Sequence, residues 1–231
     1  MTTRLAVLAD VHADAGALRK ALGQIDRLGC ERIVCAGDLV DYGPSPDEVV
    51  RLLRERELPC VRGNHDRWAV EPNRASSSGP GGGRDPGAGM LEVSPASRGF
   101  LAELPRIWRD TIDGVRLAVC HGTPRSDLHG IFPEESSPGD VWCWLEEAQA
   151  EVLLVGHTHQ AFALRALGGG LIANPGALLR AKAVRGGPVL AGEGTFGLLE
   201  LPSGRFSVHR TSDGVEIEIP RLTVGIRDRR G

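Results

Sequence analysis

Apolar runs and helical repeats alternate along the first third of the chain. Leu5–Ala9 is an unbroken apolar run and predicts a buried strand. Asp14–Leu28 carries Leu18, Leu22 and Ile25 on one helical face. Arg32–Ala36 predicts a second strand, and Pro46–Glu57, with Val49, Val50, Leu52 and Leu53, a second helix. Ser45 stands at the N-cap of that helix, with Pro46 at its first position and Glu48 three residues after the cap. Cys60–Arg62 is expected to close a third strand. This β-α-β-α-β order implies parallel strands joined by right-handed crossovers.

The pattern then breaks. Pro72–Gly89 is rich in Gly, Ser and Pro, has almost nothing apolar, and is expected to be a mobile loop. A helix resumes near Ser97–Leu104, and Ile107–Ile112 and Val115–Cys120 predict a hairpin turning at Asp113-Gly114. A helix follows over Pro138–Ala150. Strands are expected at Val152–Val155, Phe162–Ala166, Leu171–Ala173, Thr195–Leu201 and Arg205–Arg210, the last pair turning at Ser203-Gly204. The strand-rich second half predicts a second sheet packed on the first. Residues 221–231, which end in the charged run Arg227–Gly231, are expected to form a flexible tail.

Composition acts mainly by exclusion. The 231 residues are 41% hydrophobic and 25% charged, which is the make-up of an ordinary globule. A single domain over residues 1–231 is expected. A chain of this length buries roughly 70% of its unfolded surface without staples. No apolar run approaches the ~18 residues of a membrane span. Leu5–Ala9 is too short for a signal-peptide core, so the cytoplasm is the expected compartment. Five cysteines (Cys30, Cys35, Cys60, Cys120, Cys143) with no C-x-x-C pair argue against a disulfide or zinc framework and for buried thiols in a reducing compartment. The formal charge is −3, and Lys20 and Lys182 are the sole lysines among 27 basic residues. Bulk charge therefore carries no strong nucleic-acid-binding signal.

The chemistry lies in short polar clusters that follow the apolar runs. Asp10-Val11-His12 follows the first, and Gly37-Asp38-Leu39-Val40-Asp41-Tyr42 the second. Gly63-Asn64-His65-Asp66 follows the third, His121-Gly122 the run ending at Cys120, and Gly156-His157-Thr158-His159 the run ending at Val155. Loops at the carboxyl ends of strands converge on one crevice in open α/β sheets. An extended backbone through D-x-H and H-x-H would put both outer side chains on one side. Imidazole and carboxylate together suit first-row divalent ions. Six or seven ligands over-supply one ion and suit two, with Asp38 as a natural bridge. The glycines before Asp38, Asn64 and His157 permit sharp turns.

The series D-x-H, G-D-x-x-D, G-N-H-D, H-G and G-H-T-H over residues 10–159 resembles the calcineurin-like metallophosphoesterases, and Asn174-Pro175-Gly176 resembles a further family element. The short length and G-H-T-H look most like the small bacterial and archaeal phosphodiesterases. The resemblance implies an α/β, four-layer αββα sandwich. Carried over motif by motif, it places Asp10, His12, Asp38 and His159 on one ion, and Asp38, Asn64, His121 and His157 on the other. Two divalent transition-metal ions are implied, manganese first among manganese, iron, nickel, cobalt and zinc. The implied reaction is attack of a metal-bound hydroxide on a phosphodiester. His65 is the candidate general acid, with Asp41 and Asp66 as candidates to orient it.

One departure is informative. The protein serine/threonine phosphatases and symmetrical dinucleoside tetraphosphate hydrolases of the family read G-D-x-x-D-R-G, where this chain has Tyr42. A tyrosine hydroxyl cannot grip phosphate bidentately as an arginine does. Arg62, Arg67, Arg125 and Arg180 lie near motifs, and solvent-facing or structural roles are expected for them. His129 reads as a surface histidine, and His209, Trp142 and Trp144 as packing. Trp68 reads as either packing or a stacking platform. The expected partner is a phosphoester, a nucleotide among the open choices, with no membrane and with self-association left open. The rival readings are a phosphomonoesterase or nucleoside-polyphosphate hydrolase and, outside enzymes, a metal-binding scaffold.

Overall fold

The computed structural model describes residues 2–71, 92–179 and 193–225. The expectations for Pro72–Gly89, Arg180 and Arg227–Gly231 fall outside these residues.

The chain is a four-layer αββα sandwich. The first sheet runs β10-β9-β8-β1-β2, from β1 (Thr3–Leu8), β2 (Arg32–Cys35), β8 (Thr195–Leu201), β9 (Arg205–Arg210) and β10 (Glu216–Ile217). The second runs β11-β6-β7-β5-β4-β3, from β3 (Ile107–Ile112), β4 (Val115–Cys120), β5 (Val152–Leu154), β6 (Ala161–Ala166), β7 (Leu171–Pro175) and β11 (Arg221–Val224). Alternation along β1 decides which layer each side chain joins. Leu5 and Val7 face the inter-sheet core with Leu117, Val119, Leu199, Phe206 and Val208. Ala6 and Leu8 face outward against Leu18, Leu22, Val49 and Leu53 of the helices. On the far face of the second sheet, Ala118, Leu153 and Phe162 pack against Val141 and Leu145.

Local chemistry sets the helix ends. α1 (Ala15–Arg27) starts at Asp14, whose carboxylate accepts the Ala17 N–H at 2.8 Å. α4 (Pro95–Glu103) is capped in the same way by Ser94. α5 (Pro138–Ala148) opens on a reciprocal Ser137–Asp140 box and stops at Gln149, which is left-handed at φ 56°. α2 (Pro46–Glu55) begins after Ser45 as expected, but the serine side chain makes no capping hydrogen bond, and Glu48 pairs instead with Arg19. The hairpin turns at Asp113-Gly114, both with positive φ.

Two sequence expectations are corrected. Cys60–Arg62 is not a strand: one isolated parallel bridge joins Cys60 to Cys35, and the Arg62 N–H then turns away to the Pro105 carbonyl. The polar cluster that follows is the start of a short helix, α3 (Asn64–Val70). Residues 221–224 are not a tail, because they form β11, parallel to β6. The cysteines are free, with Cys35, Cys60 and Cys120 buried. Among the described residues no helix is long and apolar enough to cross a membrane.

Candidate metal centre

β1, β2, β4 and β5 all deliver their loops to one edge of the sandwich. Backbone hydrogen bonds lock the loops of the first sheet together, with the His12 N–H on the Asp38 carbonyl at 2.9 Å and the Ala13 N–H on the Leu39 carbonyl at 2.8 Å. The two sheets meet where the His157 N–H donates to Asp10 Oδ2 at 3.1 Å. Asn174 is fully buried behind the last loop, with Nδ2 on the Gly156 carbonyl at 2.8 Å and on Thr158 Oγ1 at 3.1 Å.

The backbone through D-x-H and H-x-H is not extended. Asp10, His12, His157 and His159 all have left-handed φ, between 46° and 68°, and Asp38 and Asp41 are left-handed too, at 53° and 78°. The side chains converge through strained turns, a conformation that only surrounding structure can hold. The three glycines also act differently. Gly37 alone uses a positive φ, 87°, whereas Gly63 and Gly156 provide space. A Cβ on Gly63 would lie 2.1 Å from Asp38 Oδ1. Gly63→Ala should therefore cost about 2 kcal/mol or more and displace Asp38, read as a lower melting temperature together with reduced metal uptake.

Two clusters of metal-ligating atoms result. Asp10, His12 and His159 form one, and Asp38, His121 and His157 the other, each with its ligand atoms within 4.8 Å of one another. His12 Nε2 lies 3.1 Å from His159 Nε2, and His157 Nδ1 3.3 Å from His121 Nε2. Asn64 Oδ1 enters the second cluster, 3.0 Å from both His121 Nε2 and His157 Nδ1. Asp38 Oδ2 faces both clusters, 3.1 Å from His121 Nε2 and 3.8 Å from His12 Nε2. The remaining ring nitrogens of three histidines rest on main-chain carbonyls: His121 Nδ1 on Ala36 at 2.8 Å, His12 Nδ1 on Val40 at 3.3 Å and His157 Nε2 on Leu128 at 3.1 Å. Such contacts orient a metal-bound imidazole from behind.

The donor set fits divalent cations. Imidazole nitrogens facing one another across about 3 Å share no protein proton that satisfies them all, and a cation would. Asp10 Oδ1 is buried with no hydrogen-bond partner. The protein alone accommodates this crowding by shifting charge. Burial opposes a charged His121, yet Asp38 and Asp10 overcome it and push its pKa up to about 10. Burial pulls His12 down to about 4 despite the same two carboxylates.

His65 and Asp41 stand beside the clusters. His65 Nδ1 bonds Asp41 Oδ2 at 2.7 Å, which leaves Nε2 toward the centre, 3.9 Å from Asp38 Oδ2. Burial works against its charged form, but Asp38 and Asp41 prevail and hold its pKa above the ordinary imidazole value. Asp66 does not touch this pair. It is fully buried and accepts the N–H groups of Leu39 (2.8 Å), Val40 (3.2 Å) and Gly63 (2.9 Å), so it ties the Asp38 loop to the start of α3. Burial first, then Asp38, pushes the Asp66 carboxyl up to about 6.

The other candidates fall into structural places. Trp68 is buried, its ring centroid 4.7 Å from that of His65. Arg67 grips Asp127 through two hydrogen bonds, of 2.7 and 3.1 Å, and holds α3 to the loop after β4. Arg125 pairs with Glu147, and His209 stacks on Phe196. Trp142 and Trp144 pack against the α5 core. The carbonyl supports of the histidines and the Arg67–Asp127 clamp were not foreseen. Main-chain carbonyls carry no residue-type signal, and nothing in the sequence pairs Arg67 with Asp127.

The family model of the calcineurin-like phosphoesterase superfamily domain matches residues 3–200. The chain belongs to that superfamily. As a metallophosphoesterase it is 28% identical over 160 residues to the uncharacterized protein MJ0912 of Methanocaldococcus jannaschii. That alignment spans 68% of this chain and 63% of the relative, less than two thirds of the relative's length. Among solved structures, a metallophosphoesterase from Sphaerobacter thermophilus superposes with a TM-score of 0.67 at 25% identity, covering 90% of this chain and 87% of that one. The hypothetical protein PH1004 from Pyrococcus horikoshii OT3 shares the fold with a TM-score of 0.73 at 18% identity, covering 94% and 88%. The expected fold and family membership are thereby borne out.

Proposed function

We propose that this metallophosphoesterase hydrolyses phosphodiesters at a two-ion centre, working as a single domain in the cytoplasm, with manganese the first ion to test. Asp10, His12, Asp38 and His159 hold one ion. Asp38, Asn64, His121 and His157 hold the other. The observation that carries this reading is Asp38 Oδ2 set between the two clusters, with His65 Nε2 beside it. When bound, two divalent ions polarise the phosphoryl oxygens and make water nucleophilic near neutral pH.

The chain's own groups do the rest. His65 carries a proton at Nε2 and gives it to the departing oxygen, while Asp41 fixes the ring through Nδ1. One water is consumed: its oxygen bonds phosphorus, the bond to the leaving oxygen breaks, and the water's proton restores the acid through solvent. Asn64 presents its amide oxygen to the second ion and its backbone opens α3. Tyr42 bears on the choice of ester. A monoester dianion asks for more positive charge than a diester monoanion does, and the position occupied by arginine in the phosphatase branch here carries none.

The test is turnover of bis-p-nitrophenyl phosphate and p-nitrophenyl phosphate by manganese-loaded and EDTA-stripped protein. Manganese-dependent cleavage that favours the diester is expected. Activity indifferent to chelation would sink the two-ion reading. A preference for the monoester would make the protein a phosphomonoesterase.

A further inference from the structure

An exposed aromatic ring beside a buried polar centre needs a physical reason. Tyr42 is 52% exposed, although the histidines it touches are buried. Its ring centroid lies 4.8 Å from that of His12 and 4.8 Å from that of His65. The ring is not there by slack. Asp41 and Tyr42 have φ of 78° and 61°, in the left-handed region that bulky residues avoid. The Tyr42 N–H donates to Asp41 Oδ1 at 2.8 Å, and the other oxygen of that carboxylate holds His65. One carboxylate thus sets both the acid and the ring.

Tyr42 is one of four exposed large hydrophobic residues among the described residues, and its ring contacts both His12 and His65. Apolar surface left in water at a polar site gains by being covered by apolar matter.

We propose that Tyr42 is the leaving-group platform of the site: its ring packs against the body of the departing alcohol, and the favoured diesters are those whose leaving alcohol is flat, a nucleoside being the natural class. This rests on the two-ion reading above. The leaving oxygen must come within about 3 Å of His65 Nε2 to receive its proton. Whatever that oxygen carries then lies beside the ring that flanks His65. A flat body gains dispersion and stacking there, whereas a small, hydrated alcohol such as ethanolamine gains little.

Tyr42→Ala and Tyr42→Phe test this in manganese-loaded protein. Calorimetry reads binding of inorganic phosphate and of thymidine 5′-phosphate. Steady-state rates are taken on thymidylyl-3′,5′-thymidine, whose leaving alcohol is a nucleoside, and on glycerophosphoethanolamine. The Ala variant should bind thymidine 5′-phosphate about 10-fold more weakly and show a KM about 10-fold higher on the flat ester. Any loss in phosphate binding or in turnover of glycerophosphoethanolamine should be at least about 5-fold smaller, and manganese content should hold. The Phe variant should keep the preference for the flat ester, because the ring carries it. Equal losses for phosphate and thymidine 5′-phosphate, or a fall in manganese content, would make Tyr42 a support for His12 and overturn the platform while leaving the two-ion reading intact. Wild-type protein that binds thymidine 5′-phosphate no more tightly than phosphate would do the same. Wild-type protein that takes up no manganese would overturn both.

Discussion

Asp38→Ala should abolish turnover of bis-p-nitrophenyl phosphate and empty both metal positions. The expected losses are at least about 100-fold in metal affinity and more than about 10³-fold in rate. Among the described residues, Asp38 is the one that contacts both clusters and the first turn of α3. Its Oδ2 lies 3.8 Å from His12 Nε2 and 3.1 Å from His121 Nε2, one histidine in each cluster. Its Oδ1 accepts the His65 N–H at 2.9 Å, which fixes the first turn of α3. Burial opposes the charge on Asp38, but His121 and His65 beside it hold its carboxyl well below the usual carboxylate range. Metal analysis by plasma mass spectrometry and a rate assay on the same sample check the outcome. A variant that kept both ions and its rate would remove Asp38 from the bridging position.

His65→Ala should behave in the opposite way on metal. Its ring is outside both clusters, so metal content should hold while the rate falls by about 10² to 10³-fold. Loss of both ions in this variant would make His65 a ligand and end its role as acid. A companion substitution examines the proton itself. As the proposed acid, His65 must be protonated to act, and Asp38 and Asp41 hold its pKa above the ordinary imidazole value. Activity that depends on this acid is present below that pKa and is lost as pH rises through it. Asp41→Asn removes one of the stabilising charges, so the alkaline limb of kcat should move to lower pH by about one unit. A limb that stayed in place would show that another group supplies the proton.

Much of this was legible in the chain because burial writes a strong pattern. β3, β4, β8 and β9 begin and end where hydrophobic alternation and turn residues place them. Every proposed ligand lies just after an apolar run, so the strand ends point to the site in the sequence itself. The failures share one cause: a tertiary contact overrode a local signal. The peptides around Asp10, His12, His157 and His159 are left-handed because neighbouring loops hold them there, and no residue-level propensity announces it. Cys60–Arg62 has strand composition, but Arg62 bonds Pro105 and leaves the ladder after one bridge. Residues 221–224 look too polar for a strand, yet β6 offers them a free edge. Asp66 sits next to His65 in sequence and faces the backbone of another loop in space.

The seam of the sandwich has a consequence for how the molecule comes apart. Asp10, His12 and Asp38 belong to loops of the first sheet, while His121, His157 and His159 belong to loops of the second. Neither sheet alone owns a complete cluster, so no half-unfolded form can keep a full set of ligands. Whatever binds the intact centre favours only the form with both sheets closed on each other. Amides deep in β1 and β4, which sit on opposite sides of that seam, should then lose protection from hydrogen exchange together, as one cooperative unit.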